Sequence, residues 1–212
     1  DGVVIWTQFF ERAEIRDLLD SITISTLLIP PHQIQLRPKW LSRVKRILHE
    51  ESMGYSVDEK GGLHHLIDEA FAATTMVTIR SLSGDRYRAV VAELEEAQKA
   101  FDSEPASGKK AIRSTFEAAE ILVKLFTNNA VPRLNADAIR KHILPALESI
   151  YATDLIALES SKKFLSSLEG WINAAHFYRH GQALEEPVEP PLSYSVMMVS
   201  TGMSVIRWFA EL

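Results

Sequence analysis

Along most of the chain, apolar residues recur every three or four positions, the pattern of helices that each bury one face. The first such stretch is VVIWTQFFERAEIRDLLDSI, with Ile5, Phe9, Ile15, Leu18 and Leu19 in rough helical register. ITISTLLIPP follows; it is β-branched and apolar and closes on two prolines, which predicts a short strand or an extended connection. A second helix is expected from about Pro38, a residue suited to a first helical turn, with Trp40, Val44, Ile47 and Leu48 as its apolar stripe. MGYSVDEKGG is turn-like and predicts a small β-hairpin.

From Leu63 onward the pattern predicts helices with short breaks. LHHLIDEAFAATTMVTIRSL comes first, then a helix over residues 86–101 with Val90, Leu94, Ala97 and Phe101 on one face. KKAIRSTFEAAEILVKLFTNN is strongly amphipathic and stops at Asn-Asn. NADAIRKHILPALESIY has Asn135 or Asp137 as cap and Pro145 to bend or end it. A long helix over residues 154–178 and a last one from LSYSVMMVSTGMSVIRWFAEL complete the set. The expected fold is all-α: an antiparallel helical bundle over residues 53–212, with a helical extension over residues 1–52 and one small hairpin.

Composition narrows the function classes. The 212 residues are 46% hydrophobic and 24% charged, as in an ordinary globular protein with material for a core. The net charge of −5 supplies no global field to recruit nucleic acid or an anionic membrane, so a nucleic-acid role needs a local basic patch. The longest uncharged run, residues 190–206, is short for a membrane span and reads as a core helix, so no membrane partner is expected. With no cysteine there is no disulfide framework, thiol nucleophile or Cys-based zinc site, which fits a cytoplasmic location. Gly-rich phosphate loops, a GxSxG elbow and HExxH are all missing from the sequence.

Three clusters carry candidate chemistry. In HFYRHG, His176, Arg179 and His180 share a helix face. A histidine there could act as general acid or base while Arg179 stabilises charge on a phosphate, the requirements of metal-independent RNA cleavage. The plain alternative is cationic residues in a last helical turn, complementing its dipole. His176 and His180 also have metal-ligand spacing, but Arg179 between them opposes a cation, and neither metal nor cofactor is expected. Glu117 and Glu120, on the amphipathic helix, could orient Arg179 or a histidine across the bundle, or simply form surface ion pairs. Arg37, Lys39, Arg43, Lys45 and Arg46 form the one dense basic patch, beside Trp40 for stacking, and are candidate RNA contacts; a solvated helix face is the alternative. Glu185, Glu186 and Glu189 form an acidic loop that would repel phosphate.

MGYSVDEKGGLHHLIDEAF, KKAIRSTFEAAEILVKLF, the FYRHG turn and the final SVIRWFAEL occur in an order that resembles HEPN-type helical domains of bacterial abortive-infection (AbiJ-like) and other phage-defence proteins. The resemblance implies a helical bundle that homodimerises and works with other components of a defence system. Active members carry an Arg followed a few residues later by a His, and two such motifs meet across the dimer as an endoribonuclease site. Arg179 and His180 stand where that motif belongs, but adjacent. The resemblance therefore implies either a ribonuclease or an inactive RNA-binding, dimerisation or regulatory module.

Overall fold

A computed structural model describes residues 9, 11–51, 53–103, 105–179 and 188–212, except for the His65 side chain. The chain divides into two compact units, Asp1–Ile67 and Asp68–Leu212.

The first unit contains helix α1 (Ile15–Leu27), a 3-10 segment (Pro31–Leu36), helix α2 (Arg37–Glu50) and a hairpin of β1 (Tyr55–Val57) and β2 (Leu63–His65). The strands pair antiparallel with Tyr55 opposite His65. ITISTL is helical, against the expectation of a strand or extended connection, because its threonines find partners without leaving the helix. Thr26 Oγ1 donates to the Ile22 carbonyl at 2.8 Å, and Thr23 Oγ1 to the Gly61 carbonyl at 2.9 Å. Trp40 Nε1 then donates to Thr26 Oγ1 at 2.8 Å, fixing the start of α2 against the end of α1.

Asp58 builds the hairpin turn. Its carboxylate accepts from the amides of Lys60 at 2.8 Å and Gly62 at 2.7 Å, and its other oxygen lies 3.2 Å from His64 Nε2. Gly61 has φ +90° and is buried; a Cβ there would come within 2.6 Å of the Thr26 side chain. Only glycine combines that backbone with that approach. These ties place the hairpin with the N-terminal helices, so the compact division falls after Ile67, whereas the sequence pattern divided the chain at residue 52. They also explain a correction: Leu63–His65 is a strand, and the helix expected from Leu63 starts at Glu69. There Asp68 accepts the Phe71 amide at 2.7 Å, a side-chain cap worth about 1 kcal/mol.

The second unit is all-helical among its described residues: α3 (Glu69–Ser81), α4 (Arg88–Asp102), α5 (Gly108–Phe126), α6 (Leu144–Ile150), α7 (Leu155–Arg179) and α8 (Leu192–Glu211), with short helical segments between them. Helix α5 packs against α4, α7 and α8, burying Ile112, Phe116, Ala119, Leu122 and Val123. Helices α4 and α5 run antiparallel, as do α7 and α8. Arg86 Nη2 reaches the Leu125 carbonyl at 3.3 Å while the Ser107 amide reaches the Ala100 carbonyl at 2.8 Å, and Phe164 meets Trp208 while Tyr178 meets Tyr194.

Helices α5 and α8 instead run parallel: Gly108 meets Ser195, Thr115 meets Gly202, and Phe126 meets Phe209. Close approach is the reason for the glycines, since a Cβ on Gly202 would lie 2.5 Å from Thr115 Cγ2 and 2.8 Å from Trp171 Cζ2. Pro145 neither ends its helix nor leaves it regular. A π-helical segment, Ile139–Ile143, precedes it and relieves the clash that the proline ring would make with the Lys141 carbonyl. No described helix is long and apolar enough to cross a membrane.

Candidate functional site

The last turn of α7 lies over the middle of α5. Phe116, fully buried, stacks on Trp171 with ring centroids 5.8 Å apart and meets the His176 ring at 5.6 Å. Trp171 is held in turn by its Nε1, which donates to the Met198 carbonyl at 2.9 Å. The Arg179 guanidinium carbon sits 4.4 Å from the Phe116 centroid, a cation–π geometry. Arg179 Nη2 is 3.7 Å from Glu120 Oε2, with the two side chains only 19% and 13% exposed.

Glu120 is a collecting point for positive groups. It accepts the Leu134 amide at 2.9 Å and Lys124 Nζ at 3.0 Å, in addition to facing Arg179. Burial alone would push its carboxyl up. The Leu134 amide, then Lys124 and Arg179, outweigh that and hold it below the ordinary glutamate range. Arg179 therefore has its charge matched inside the unit and one guanidinium face covered by an aromatic ring.

Glu117 is turned elsewhere. It accepts from Arg113 Nε at 2.9 Å and, with Glu96, Lys99 and Lys110, lines a groove of about 400 Å³ between α4 and α5. Two ion pairs lie within the groove, Lys99 with Glu96 at 2.6 Å and Arg113 with Glu117. Nearby, burial and then the Glu117 charge push the Glu93 carboxyl up. Glu117 and Glu120, equivalent in the sequence pattern, thus do different things. Sequence spacing does not show which glutamate the α7 terminus reaches.

His180, Glu185 and Glu186 lie outside the described residues. Glu189, read in the sequence as part of a repelling loop, has a local task that was missed: its carboxylate accepts from Ser107 Oγ and the Lys109 amide, both at 3.0 Å. It thereby neutralises free donors at the α5 N-terminus, where a carboxylate also suits the helix dipole. A contact spanning so much sequence leaves no local signal. Among the described residues no group of His, Asp and Glu is arranged to hold a metal.

No protein-family model matches the chain, and neither does any curated protein or solved structure.

The basic helix α2 belongs to the other unit. Lys39, Arg43, Lys45 and Arg46 are exposed along it, with Arg46 Nε 3.7 Å from Glu50. Arg37 is partly enclosed, its Nη2 3.5 Å from the Thr26 carbonyl and its Nε buried with no hydrogen-bond partner. Trp40, half-buried, spends its indole N–H on Thr26 at the α1–α2 junction.

Proposed function

We propose that this chain is a non-catalytic helical interaction module, related in kind to inactive HEPN-like domains of prokaryotic defence systems. It works in the cytoplasm as a homodimer that engages other components of such a system. The observation that carries this reading is the placement of Arg179 on Phe116 and against Glu120. An arginine that stabilises a phosphoryl transition state must direct its donors at the phosphate. To do so here, Arg179 would have to leave an aromatic face and a mostly buried carboxylate. The adjacency of Arg179 and His180, where active HEPN members space the pair, supports the same reading. His176, packed on the Phe116 ring, is on this view a packing residue rather than an acid or base.

The test is a pair of measurements on the purified chain. RNA, single-stranded or structured, should remain intact, while Arg179→Ala should lower the unfolding midpoint or change the oligomeric state. Cleavage of RNA by the wild-type chain that disappears in a folded Arg179→Ala variant would establish the ribonuclease reading instead.

A further inference from the structure

Between Asp20 and Glu50 the sequence has no acidic residue, yet it holds Arg37, Lys39, Arg43, Lys45 and Arg46. The net charge of −5 describes the whole chain; this stretch has the opposite sign. The same stretch also leaves several aliphatic side chains in water. Leu27 and Leu28, at the end of α1, are 65% and 72% exposed, and Ile34 and Leu36, in the 3-10 segment before α2, are exposed as well. Four aliphatic residues within ten positions, on both sides of the Pro30-Pro31 bend, exceed the scattered singles of an ordinary surface. Lys39, Arg43 and Arg46, at offsets of four and three, continue from that bend along one side of α2.

Exposed aliphatic residues that lead directly into a cationic helix face match the interface of an anionic bilayer, where acyl chains lie beneath negatively charged headgroups. We propose that the α1–α2 bend is a membrane-surface contact: Leu27, Leu28, Ile34 and Leu36 enter the acyl–headgroup boundary, and Lys39, Arg43 and Arg46 meet anionic lipid headgroups. This is attachment to one leaflet rather than a span; no described helix is long and apolar enough to cross. RNA would use the same cations but offers no partner for four aliphatic side chains. Its bases need an aromatic platform, and the one aromatic ring on α2 besides His49, that of Trp40, is half-buried and tethered to α1. The inference rests on the first unit and does not depend on the role assigned to Arg179.

Flotation of the purified full chain with vesicles tests it. Vesicles of phosphatidylcholine plus phosphatidylserine should carry the protein upward, vesicles of phosphatidylcholine alone far less, and added salt should reduce binding. The double variant Leu27→Ser/Leu28→Ser changes two exposed positions, so its far-UV circular dichroism should be unchanged while partitioning falls about tenfold or more. Arg43→Glu should weaken partitioning by about an order of magnitude. No flotation with anionic vesicles overturns the proposal, and so does flotation indifferent to both variants. Binding to an RNA oligonucleotide that needs Arg43 but ignores Leu27 and Leu28, without vesicle binding, would reassign the face to nucleic acid.

Discussion

In the second unit Leu94, Ile112, Phe116, Leu122, Ile143, Leu147, Leu168, Ile172, Met203 and Ile206 are withdrawn from water. Among the described residues of the first unit, the fully buried apolar side chains are Val44 and Leu48, and individual polar ties stand beside them. Thr26 accepts from Trp40, Thr23 donates to Gly61, and Asp58 organises the hairpin turn. The difference is one of energetic character. Apolar burial stabilises roughly in proportion to area, about 25 cal/mol per Å², whereas a single hydrogen bond contributes about 1 kcal/mol net. The second unit should therefore yield to cavities and the first to the loss of individual acceptors.

The largest effect should come from Phe116→Ala, which empties the centre of the second unit and removes the ring beneath Arg179. A loss of about 3–5 kcal/mol is expected in denaturant unfolding; a loss below 1 kcal/mol would mean that α5 is not the central helix. Thr26→Val keeps the shape but deprives the Trp40 indole of its acceptor, and about 1–3 kcal/mol is expected. Its mark is regional: amide exchange should accelerate in α1, α2 and the hairpin and stay unchanged in α5 and α8. Equal acceleration everywhere would show that the two units unfold as one.

Acid should separate the carboxylates that carry structure from those that do not. The folded chain holds the Glu120 carboxyl below its ordinary 4.5 and the Asp58 carboxyl below 3.8. For Asp58 burial again pushes up, and the His64 hydrogen bond and turn amides prevail. A depressed carboxylate stabilises above its unfolded value and loses that contribution as pH falls through the folded one. Stability should thus decline below about pH 4.5 and less steeply in Glu120→Gln, as followed by urea midpoints across pH. A slope unchanged in that variant would remove Glu120 from the acid response. The smallest effect belongs to Arg113→Ala: its pair with Glu117 is a solvated i, i+4 contact, and a change within about 0.5 kcal/mol is expected.

Most of the helices were legible because their apolar stripes run through Val90, Leu94 and Phe101 or Ile112, Phe116 and Leu122, residues that do face the core. Errors fell where a few long-range partners override local preference. Thr23 and Thr26 read as strand formers until Gly61 and Trp40 supply their partners, and Leu63–His65 read as helix until β1 pairs with it. Pro145 read as a bend or an end, and the π segment that accommodates it has no sequence period of its own. At the candidate site the pattern put Arg179 and the two glutamates in view, but only tertiary geometry separates Glu120, which faces Arg179, from Glu117, which faces Arg113. The Phe116 ring under the guanidinium had looked like ordinary core.

The claim at the centre is that Arg179 is spent on the fold through Glu120. A double-mutant cycle in thermal or urea unfolding, with Arg179→Ala, Glu120→Gln and both together, measures that tie directly. Expected is a favourable coupling of about 0.5–3 kcal/mol, with each single change destabilising. Strict additivity, with Arg179→Ala as stable as the wild type, would contradict it and return Arg179 to the pool of groups available for chemistry.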